Sequence, residues 1–325
     1  MRIMDMITPF SIKKNIPLLK RFSSTRETTQ LDLKQTGWIV YSPHLSQHHF
    51  QDIDFFIGEQ TLVLATWKVG HYDVAAMAGE MTPEHKTILD ALELDYAEVK
   101  DIPDLSKPGI ILFDMDSTAI EIECIDEIAK LAGVGKQVSE VTERAMQGEL
   151  DFKESLIQRV GTLAGADEAI LAKVKSELPF MPEVRELIAT MQQYGWKAAI
   201  ASGGFTYFSD YLKDELSLVH AQSNQLEIVD GKLTGKVLGD IVSAETKAEI
   251  LVELADKYDI EISNTVAVGD GANDLVMMEA AGLGIAYHAK PKVQQKAQTA
   301  VRHADLGGVA CILSVSLLLN KKLSW

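Results

Sequence analysis

The sequence contains a short apolar run, residues 110–113, that two aspartates follow at once, Asp114 and Asp116. A run of this length between turn residues is typical of a strand buried on both faces, which is a feature of parallel sheets in α/β proteins. Such sheets bind their ligands at the carboxyl ends of the strands, where the two aspartates would lie. Aspartates are also common turn and helix-cap residues, so this pattern alone leaves both interpretations open.

Two later apolar runs end in polar residues in the same way. Strands are predicted over residues 197–201 and 265–268, and a short one over 283–286. The polar or small residues that follow the first two are Ser202, Gly203, Gly204, Asp270, Asn273 and Asp274. Lys247 lies between these clusters, in the first turn of a helix predicted over 245–258. Turn chemistry explains each cluster alone, but the whole set favours one shared site, because carboxyl ends of parallel strands meet at one edge of a sheet.

The spacing of the strands predicts an insertion. Asp114 and Lys197 are separated by far more than the roughly 30 residues of a βαβ unit. Apolar residues recur at helical spacing through most of this interval. We therefore predict a helical cap over residues 124–182, with 183–194 as the helix that returns the chain to the sheet. A hairpin is predicted at Asp230-Gly231, which separates two short strands.

The first hundred residues have the pattern of a small α+β module without catalytic spacing. The predicted elements are strands over 37–41 and 58–67, helices over 72–79 and 83–94, and a surface arm or helix over 1–36. The segment 101–109 is rich in Pro, Gly and Asp and predicts a domain boundary. We therefore expect an N-terminal α+β domain, residues 1–105, and a larger α/β domain, residues 106–325.

Charge and cysteine content restrict the classes of function. The chain has 31 Lys and Arg against 47 Asp and Glu, a net charge of −16, whereas nucleic-acid-binding proteins usually present a basic face. Cys124 and Cys311 are far apart and form no zinc-binding pattern, which favours a reducing compartment. The longest apolar stretch, residues 309–319, is shorter than the about 20 residues of a membrane span and is predicted as a core helix. Because the first residues also lack a signal-peptide pattern, we expect a cytoplasmic protein that binds neither nucleic acid nor membrane.

The three polar clusters would supply oxygen ligands and one lysine. Carboxylates without His or Cys suit Mg²⁺. A serine and the backbone N–H groups before a helix can hold phosphate oxygens, and Lys247 would add a compact positive charge. Aspartates are ordinarily ionised at neutral pH, so one of them needs no base in order to attack phosphorus. Two carboxylates about 4 Å apart repel by roughly 4 kcal/mol at an effective dielectric constant of 20, which Mg²⁺ and Lys247 would offset.

Taken together, these motifs resemble those of the haloacid dehalogenase-like phosphatases. The matching segments are Asp114-Met115-Asp116-Ser117-Thr118, Ser202-Gly203-Gly204, Lys247 and Gly269-Asp270-Gly271-Ala272-Asn273-Asp274. The resemblance covers residues 108–325 and departs from the family pattern at no catalytic position. It implies an α/β fold with a Rossmann-like parallel sheet and an inserted helical cap, phosphoryl transfer to an aspartate, and Mg²⁺ as the cofactor.

The resemblance also implies a role for each matching residue. Asp114 would be the nucleophile, and Asp116 would protonate the leaving oxygen and later activate water. Mg²⁺ would be bound by the Asp114 carboxylate, the Asp116 backbone carbonyl and the Asp270 carboxylate. Ser202 and Lys247 would bind phosphate. The residues that would assist are Gly203 and Asn273 at the phosphate and Asp274 beside the metal or Lys247.

Within and beside the predicted cap, Glu123, Met146, Phe152 and Arg159 resemble residues of the family members that hydrolyse phosphoserine. Glu123 would bind the substrate ammonium group and Arg159 its carboxylate, because recognition of an amino acid needs one anion and one guanidinium. Met146 and Phe152 would form an apolar wall that excludes water. Each residue also has an alternative interpretation. Glu123 could be an acid at a helix start, Arg159 a surface residue, and Met146 and Phe152 ordinary core residues.

The N-terminal hundred residues are similar in place and size to the ACT-like regulatory domain of some bacterial relatives. The leading expectation is Mg²⁺-dependent hydrolysis of O-phospho-L-serine through an aspartyl-phosphate, with a serine effector and a homodimer as further expectations. Two other interpretations stay open. One is hydrolysis of another small phosphate monoester, such as phosphothreonine or a sugar phosphate, and the other is a serine-sensing protein with a silent catalytic remnant.

Overall fold

The computed structural model describes residues 7–20, 32–146 and 149–323, which form two β-sheets with helices packed against them. The first elements along the chain are β1 (Ile12–Lys14), α1 (Ile16–Leu19), β2 (Thr36–Ser42), α2 (Gln47–Ile57), β3 (Val63–Val69), β4 (Tyr72–Ala78), α3 (Pro83–Ala91) and β5 (Asp95–Glu98). The next are β6 (Ile110–Phe113), α4 (Cys124–Leu131), α5 (Gly135–Met146), α6 (Phe152–Thr162), α7 (Ala169–Ser176), α8 (Val184–Gln193), β7 (Lys197–Phe205) and α9 (Thr206–Glu215). The last are β8 (His220–Val229), β9 (Lys232–Leu238), α10 (Ala244–Lys257), β10 (Thr265–Gly269), α11 (Leu275–Ala280), β11 (Leu283–Tyr287), α12 (Pro291–Gln294), β12 (Thr299–Val301) and α13 (Gly307–Leu319).

The N-terminal sheet is antiparallel throughout, with the strand order β1-β3-β4-β2-β5. From β2 to β5 the chain follows a βαββαβ path, the arrangement of ferredoxin-like sheets. Capping boxes at Ser46 and Thr82 begin its two main helices, α2 and α3. The predicted α+β class of this region is confirmed. The segment predicted as a surface arm, 1–36, instead contributes the edge strand β1, and its residues 1–6 and 21–31 lie outside the described part.

The helix predicted over residues 72–79 is wrong, because this segment is strand β4. Gly70, with a φ of +57°, forms the tight turn that lets β4 pair with β3. Val74 and Ala76 belong to the core that contains α13, whereas Ala75 belongs to the core under α2 and α3. Burial on both faces removes the alternation of polar and apolar residues that marks a strand, so the alanine-rich run has the composition of a helix.

The second sheet has the strand order β12-β11-β10-β6-β7-β8-β9, and every neighbouring pair except β8–β9 is parallel. Strand β6 lies between β10 and β7, with Ile111 opposite Val266 on one side and Ala198 on the other. The carboxyl ends of these three strands are therefore neighbours at one edge of the sheet. The parallel α/β sheet and the hairpin at Asp230-Gly231 are as the sequence predicted.

Helices α4 to α7 lie in the chain between β6 and α8, and they are fixed to the rest of the molecule at two places. The segments that connect them to the sheet pair with each other, Glu121 N–H donating to Pro179 O at 3.1 Å. At the other end, Gly165 N–H donates to Leu233 O of the β8–β9 hairpin at 2.8 Å. The helical insertion is therefore held against the carboxyl edge of the sheet from both sides.

Helix α13 includes the core helix predicted over 309–319, and its residues from Gly307 to Leu318 are all buried. It packs against α8 and also against β2, β3 and β4 of the N-terminal sheet. Trp67 Nε1–H donates to Ser314 Oγ at 2.7 Å across this contact. One continuous apolar core therefore joins the N-terminal sheet to the last helix. Neither α13 nor any other helix in the described ranges is long and apolar enough to cross a bilayer.

Candidate active site

Asp114 and Lys247 form the centre of the site. Asp114 directly follows β6, and its backbone N–H donates to Val268 O of β10 at 2.9 Å. Lys247, in the first turn of α10, places Nζ 2.9 Å from Asp114 Oδ1 and 2.7 Å from Asp274 Oδ1. The side chains of Lys247 and Asp274 are fully buried. The sheet edge and the helix N-terminus thus bring together three residues that are far apart in the sequence.

The charge of Lys247 depends on its two carboxylate partners. Burial alone would lower the pKa of this lysine, but Asp114 and Asp274 outweigh burial, and the net shift of its pKa is upward. Lys247 therefore keeps a fixed positive charge at the carboxyl edge of the sheet. A buried, permanently charged ammonium beside a carboxylate is suited to holding a phosphate oxygen.

Asp114, Asp270 and Asp274 form a compact carboxylate cluster, in which one oxygen from each residue lies within 4.8 Å of the others. Burial, with the negative charge of Asp114 next in size, raises the pKa of Asp270 to about 7 and that of Asp274 to about 6. Thr118 Oγ1–H donates to Asp270 Oδ1 at 3.2 Å. A cluster of oxygen ligands with excess negative charge fits a hard divalent cation such as Mg²⁺.

Asp274 is the most constrained member of this cluster. Its Oδ1 accepts hydrogen bonds from Lys247 Nζ and Asn273 Nδ2, and its Oδ2 accepts one from Gly271 N–H at 2.9 Å. The backbone of Gly269 lies so close that a Cβ there would be 2.5 Å from the Asp274 carboxyl carbon. Both oxygens of Asp274 therefore already have hydrogen-bond donors, one of which is the lysine ammonium.

Asp116 lies in a tight turn after β6, in which Ser117 adopts a φ of +56°. Its Oδ1 accepts a hydrogen bond from Cys124 N–H, at the start of α4, at 3.0 Å. Its Oδ2 lies against Gly204, where an added Cβ would be only 2.5 Å away. The turn and the helix start together fix the Asp116 carboxyl group between β6 and the irregular residues 202–204 at the carboxyl end of β7.

The same position changes the acidity of Asp116. Burial, followed by the charges of Glu123 and Asp114, raises the pKa of Asp116 to about 8. A carboxyl group that keeps its proton at neutral pH can donate that proton to a leaving group. The surroundings of Asp116 therefore give its carboxyl group the acidity that a general acid requires.

The loop formed by Ser202, Gly203 and Gly204 departs from the regular ladder at the carboxyl end of β7. Ser202 is buried, and its Oγ accepts a hydrogen bond from Gly204 N–H at 2.9 Å. Helix α9 begins at Thr206, immediately after the strand. A loop of backbone N–H groups before a helix N-terminus favours a bound anion.

A cavity of about 930 Å³ lies over these groups. The sequence-predicted site residues that line it are Asp114, Asp116, Glu123, Phe152, Arg159, Ser202, Gly203, Asp270 and Asn273. Two others, Lys247 and Asp274, are fully buried beside Asp114. The side chain of Met146 lies outside the described part of the chain. The structure thus places the described residues of the predicted site around one cavity.

The helical insertion supplies one wall of the cavity. Phe152, at the start of α6, packs on the irregular residues 202–204 of β7, since a Cβ on Gly203 would lie 2.5 Å from Phe152 Cζ. Arg159, about two turns further along α6, is partly buried, and its Nε has no hydrogen-bond partner among the described residues. Burial lowers the pKa of Arg159. Glu123 also faces the cavity, and it accepts a hydrogen bond from Ser117 Oγ–H at 2.9 Å. The wall therefore presents the carboxylate of Glu123 and the guanidinium of Arg159. A bound anion would stabilise the guanidinium.

The sequence reasoning assigned no role to three residues that contact the site. Thr118 donates to Asp270, and its place in the D-x-D-x-T run was a signal for such a contact. Cys124 supports Asp116 through its backbone N–H, which any residue type would provide. Asn224 Nδ2–H donates to Gly203 O at 2.8 Å. No local pattern marks Asn224, because its contact depends on the pairing of β7 with β8.

Comparison with known families and relatives gives an independent view of the chain. A family model for haloacid dehalogenase-like hydrolases matches residues 109–282, and a model for a domain of unknown function, DUF5609, matches residues 34–98. A phosphoserine phosphatase of Vibrio cholerae is 66% identical over 322 residues, which cover 99% of this chain and 98% of that protein. A phosphoserine phosphatase of Haemophilus influenzae is 50% identical over 279 residues, 86% of this chain and 89% of that protein.

Solved structures agree with these matches. The unliganded crystal structure of a probable phosphoserine phosphatase from Vibrio cholerae has a TM-score of 0.90 and 66% identity, with 98% of each chain covered. A phospho-aspartyl intermediate analogue of phosphoserine phosphatase has a TM-score of 0.60 and 40% identity, and it covers 63% of this chain and 98% of its own. The first structure matches the whole chain, and the second matches about two thirds of it.

Proposed function

The chain belongs to the phosphoserine phosphatases of the haloacid dehalogenase-like hydrolases, and from this membership we propose that it hydrolyses O-phospho-L-serine to L-serine and phosphate with Mg²⁺ as its metal ion. One observation carries the proposal: Asp114, which is paired with the buried Lys247, lines the same cavity as Glu123 and Arg159. The phosphate, ammonium and carboxylate groups of the substrate would each find a partner of suitable charge there.

We assign the metal ion to the carboxylates of Asp114 and Asp270 and to the backbone carbonyl of Asp116. The donor set is all oxygen, and because burial and the charge of Asp114 raise the pKa of Asp270, a bound cation would stabilise its ionised form. When bound, Mg²⁺ would supply positive charge that offsets repulsion between these groups and a phosphate dianion. Asp274, already bonded to Lys247, would hold that lysine in position.

In the first step, a carboxylate oxygen of Asp114 attacks phosphorus, and the bond between phosphorus and the serine oxygen breaks. Asp116 gives its proton to the departing serine oxygen, for which its raised pKa suits it. The Ser202 hydroxyl, the Gly203 backbone and the Lys247 ammonium stabilise the oxygens of the transferring group, and Asn273, which lines the same cavity, would assist them. The products of this step are L-serine and an aspartyl-phosphate on Asp114.

In the second step, a water molecule attacks the phosphorus atom of the aspartyl-phosphate. Asp116, now a carboxylate, takes a proton from that water, and Asp114 leaves as a carboxylate while phosphate is released. Both aspartates are thereby returned to their starting protonation states. The related phosphoserine phosphatase that was solved as a phospho-aspartyl intermediate analogue supports this route.

The choice of phosphoserine depends on the wall of the cavity. Glu123 would bind the substrate ammonium group, and Arg159 would bind its carboxylate through two parallel hydrogen bonds. Phe152, with Met146 as its predicted partner, would exclude water from residues 202–204, which we call the phosphate loop. A sugar phosphate has no carboxylate, so the partly buried guanidinium of Arg159 would be left without a partner. Binding of a sugar phosphate is therefore disfavoured. The intact set of catalytic side chains argues against a silent sensor.

We further propose two domains and a regulatory role for the first. Residues 1–105 would form an ACT-like domain and 106–325 the phosphatase domain, with 124–182 as its cap. The βαββαβ path of the N-terminal sheet supports the first assignment. A serine effector and a homodimer belong to the same proposal, which calorimetry with L-serine and measurement of the molecular mass in solution would test.

Cys124 and Cys311 are both free and buried, which supports a reducing, cytoplasmic location.

A substrate panel tests the proposed activity most simply. Phosphate release is measured with phosphoserine, phosphothreonine, glucose 6-phosphate and p-nitrophenyl phosphate at one Mg²⁺ concentration. We expect kcat/KM for phosphoserine to exceed that for glucose 6-phosphate and p-nitrophenyl phosphate by about a hundredfold or more, because about 3 kcal/mol of charged contacts are made only with an amino acid. Phosphothreonine makes the same charged contacts, so it tests only how the cavity accommodates an extra methyl group. Removal of the metal by a chelator should abolish turnover, and Mg²⁺ should restore it. Equal or better turnover of the sugar phosphate would overturn the substrate assignment.

A further inference from the structure

Asn224 is a buried asparagine on β8 whose side-chain amide is hydrogen-bonded at both ends. Its Nδ2–H donates to Gly203 O at 2.8 Å, and its Oδ1 accepts from Val242 N–H at 2.9 Å. One partner is a carbonyl and the other an N–H, so only one orientation of the amide satisfies both. None of the steps proposed above involves Asn224.

The register of β7 and β8 explains why an amide is needed at this position. Ala201 is opposite Gln222, whereas the next paired residues are Phe205 and Asn224. Three residues of β7, 202–204, therefore face a single residue of β8, and the ladder is interrupted where the phosphate loop bulges out. A carbonyl in such a bulge loses its ladder partner, and a buried carbonyl needs another donor. The Asn224 side chain supplies that donor to the loop.

The bond to Gly203 O also sets the direction of the next N–H group. The carbonyl and the N–H of a trans peptide point to opposite sides. With Gly203 O held by Asn224, the Gly204 N–H points the other way and donates to Ser202 Oγ at 2.9 Å. A Cβ on Gly204 would lie 2.5 Å from Asp116 Oδ2 and 3.2 Å from Ser202 Oγ. The oriented peptide therefore lies against the groups assigned to phosphoryl transfer.

The other end of the Asn224 amide reaches the helix that carries Lys247. Val242 directly precedes Ser243, which is the N-cap of α10. Lys247 N–H donates to Ser243 O at 3.1 Å, so the lysine belongs to the first turn that this N-cap begins. One amide group thus connects the loop that contains Ser202 with the start of the helix that contains Lys247.

We propose that Asn224 is a positioning residue for the phosphoryl group, because its amide holds the loop of Ser202 and the helix of Lys247 at the separation at which both contact one phosphate. The inference rests on one part of the proposed function, namely that phosphate binds at the loop of Ser202. Among the described residues, the hydrogen-bond partners of the Asn224 side chain are Gly203 and Val242, and neither is assigned to the serine moiety. Loss of Asn224 should therefore weaken every phosphate ligand by the same factor, whatever alcohol is attached.

Asn264 provides a matched control. It is a buried asparagine whose Nδ2–H donates to Pro108 O at 2.8 Å and whose Oδ1 accepts from Asp104 N–H at 2.7 Å. It therefore connects two chain segments in the same manner as Asn224, but at the amino end of β10 and away from the cavity. Asn224→Asp and Asn264→Asp each keep the acceptor, remove the donor and add one negative charge. Asn224→Ala is measured beside them, because it removes the donor without adding a charge that would itself repel phosphate.

The experiment compares these variants in the full-length enzyme with Mg²⁺. The inhibition constant of orthovanadate, with inorganic phosphate as a second probe, and kcat/KM for phosphoserine and p-nitrophenyl phosphate are measured at a temperature where circular dichroism shows every protein to be folded. For Asn224→Asp we expect all four quantities to worsen by a common factor of about tenfold to a hundredfold, the effect of one or two misplaced hydrogen bonds. For Asn264→Asp we expect a lower melting temperature and less than about a twofold change in each.

Two results would overturn the inference. One is an Asn224→Asp enzyme that binds orthovanadate as the parent does, and the other is an equal loss for Asn264→Asp. Asn224→Ala has the same expected and contrary results, and it stands alone if Asn224→Asp does not fold. A parent enzyme that ignores phosphoserine but binds orthovanadate would contradict the proposed function alone, and the inference about Asn224 would still be tested by the orthovanadate measurement.

Discussion

Tyr72 of the N-terminal sheet donates a hydrogen bond of 2.8 Å to Glu183, the residue that follows the helical insertion. Glu183 has a φ of +66° and occupies the N-cap position of α8. The same carboxylate oxygen accepts a second bond, of 3.0 Å, from Gly307 N–H at the start of α13. The Glu183 carboxylate therefore connects the N-terminal sheet, the end of the insertion and the last helix. These two hydrogen bonds help to hold Glu183 in its left-handed backbone conformation.

This relationship gives the first prediction. Tyr72→Phe should lower the free energy of unfolding by about 1–3 kcal/mol, because the partly buried Glu183 carboxylate loses a donor. Tyr287 is a matched control, since its buried hydroxyl has no hydrogen-bond partner among the described residues. Tyr287→Phe should leave the unfolding free energy unchanged or slightly raised. Urea unfolding of both variants checks this, and equal losses would show that the Tyr72–Glu183 bond contributes nothing specific.

The second prediction concerns Arg159. Arg159→Ala should reduce kcat/KM for phosphoserine by about a hundredfold, the value of roughly 3 kcal/mol of charged hydrogen bonds. The loss for p-nitrophenyl phosphate should be much smaller, because that ester has no carboxylate. Arg159→Lys should recover only part of the activity, since an ammonium cannot bind a carboxylate through two parallel bonds. Arg144→Ala is the control, because Arg144 is an exposed arginine on α5 that pairs with Glu149 and does not line the cavity.

The pH dependence of the first step provides the third prediction. Asp116 has a pKa raised to about 8, so its protonated form is present below that pH and is lost above it. Turnover of phosphoserine needs that proton, and kcat/KM should therefore fall as the pH rises through about 8. p-Nitrophenolate leaves without protonation, so kcat/KM for p-nitrophenyl phosphate should fall much less over the same range. Identical profiles for the two substrates would contradict the assignment of Asp116 as the acid.

The contact between Phe152 and Gly203 is the basis of the fourth prediction. Gly203→Ala would place a Cβ 2.5 Å from Phe152 Cζ, so the insertion could no longer rest on the phosphate loop, and kcat/KM should fall by about tenfold or more. A second change, Phe152→Leu, should recover part of that loss, because the smaller side chain makes room. Gly161→Ala in α6 is the control, since nothing lies within 4 Å of its added Cβ. A Gly203→Ala loss that Phe152→Leu does not reduce would rule out the contact as the cause.

Much of the sheet was predictable from the sequence, because its strands are short apolar runs that end in polar residues. β6, β7 and β10 were found in this way, and their parallel pairing follows from the helices between them. β4 was missed for the opposite reason. Its two faces enter different cores, so nothing in its own sequence distinguishes Val74-Ala75-Ala76 from a helix. The packing of α13 on the N-terminal sheet was also missed, since an apolar helix does not indicate which surface covers it.

As with the fold, some residues of the site could be predicted from the sequence and others could not. Asp114, Ser202 and Lys247 could be identified because each follows a strand or begins a helix, positions that the sequence marks. Asn224 could not, because it acts through the register of two strands and through a bulge that only the structure reveals. Residues that react are visible in motifs, whereas the residues that hold them depend on contacts between distant segments.

The central claim is that Asp114 receives the phosphoryl group. The direct measurement is to quench the enzyme during turnover of phosphoserine, reduce with borohydride, which converts an aspartyl-phosphate to homoserine, and sequence the peptides by mass spectrometry. We predict homoserine at position 114 alone, a stronger signal in Asp116→Asn with an aryl phosphate, because hydrolysis then lacks its base, and no signal in Asp114→Asn. Turnover with no homoserine at position 114, or with the conversion at another aspartate, would contradict the account.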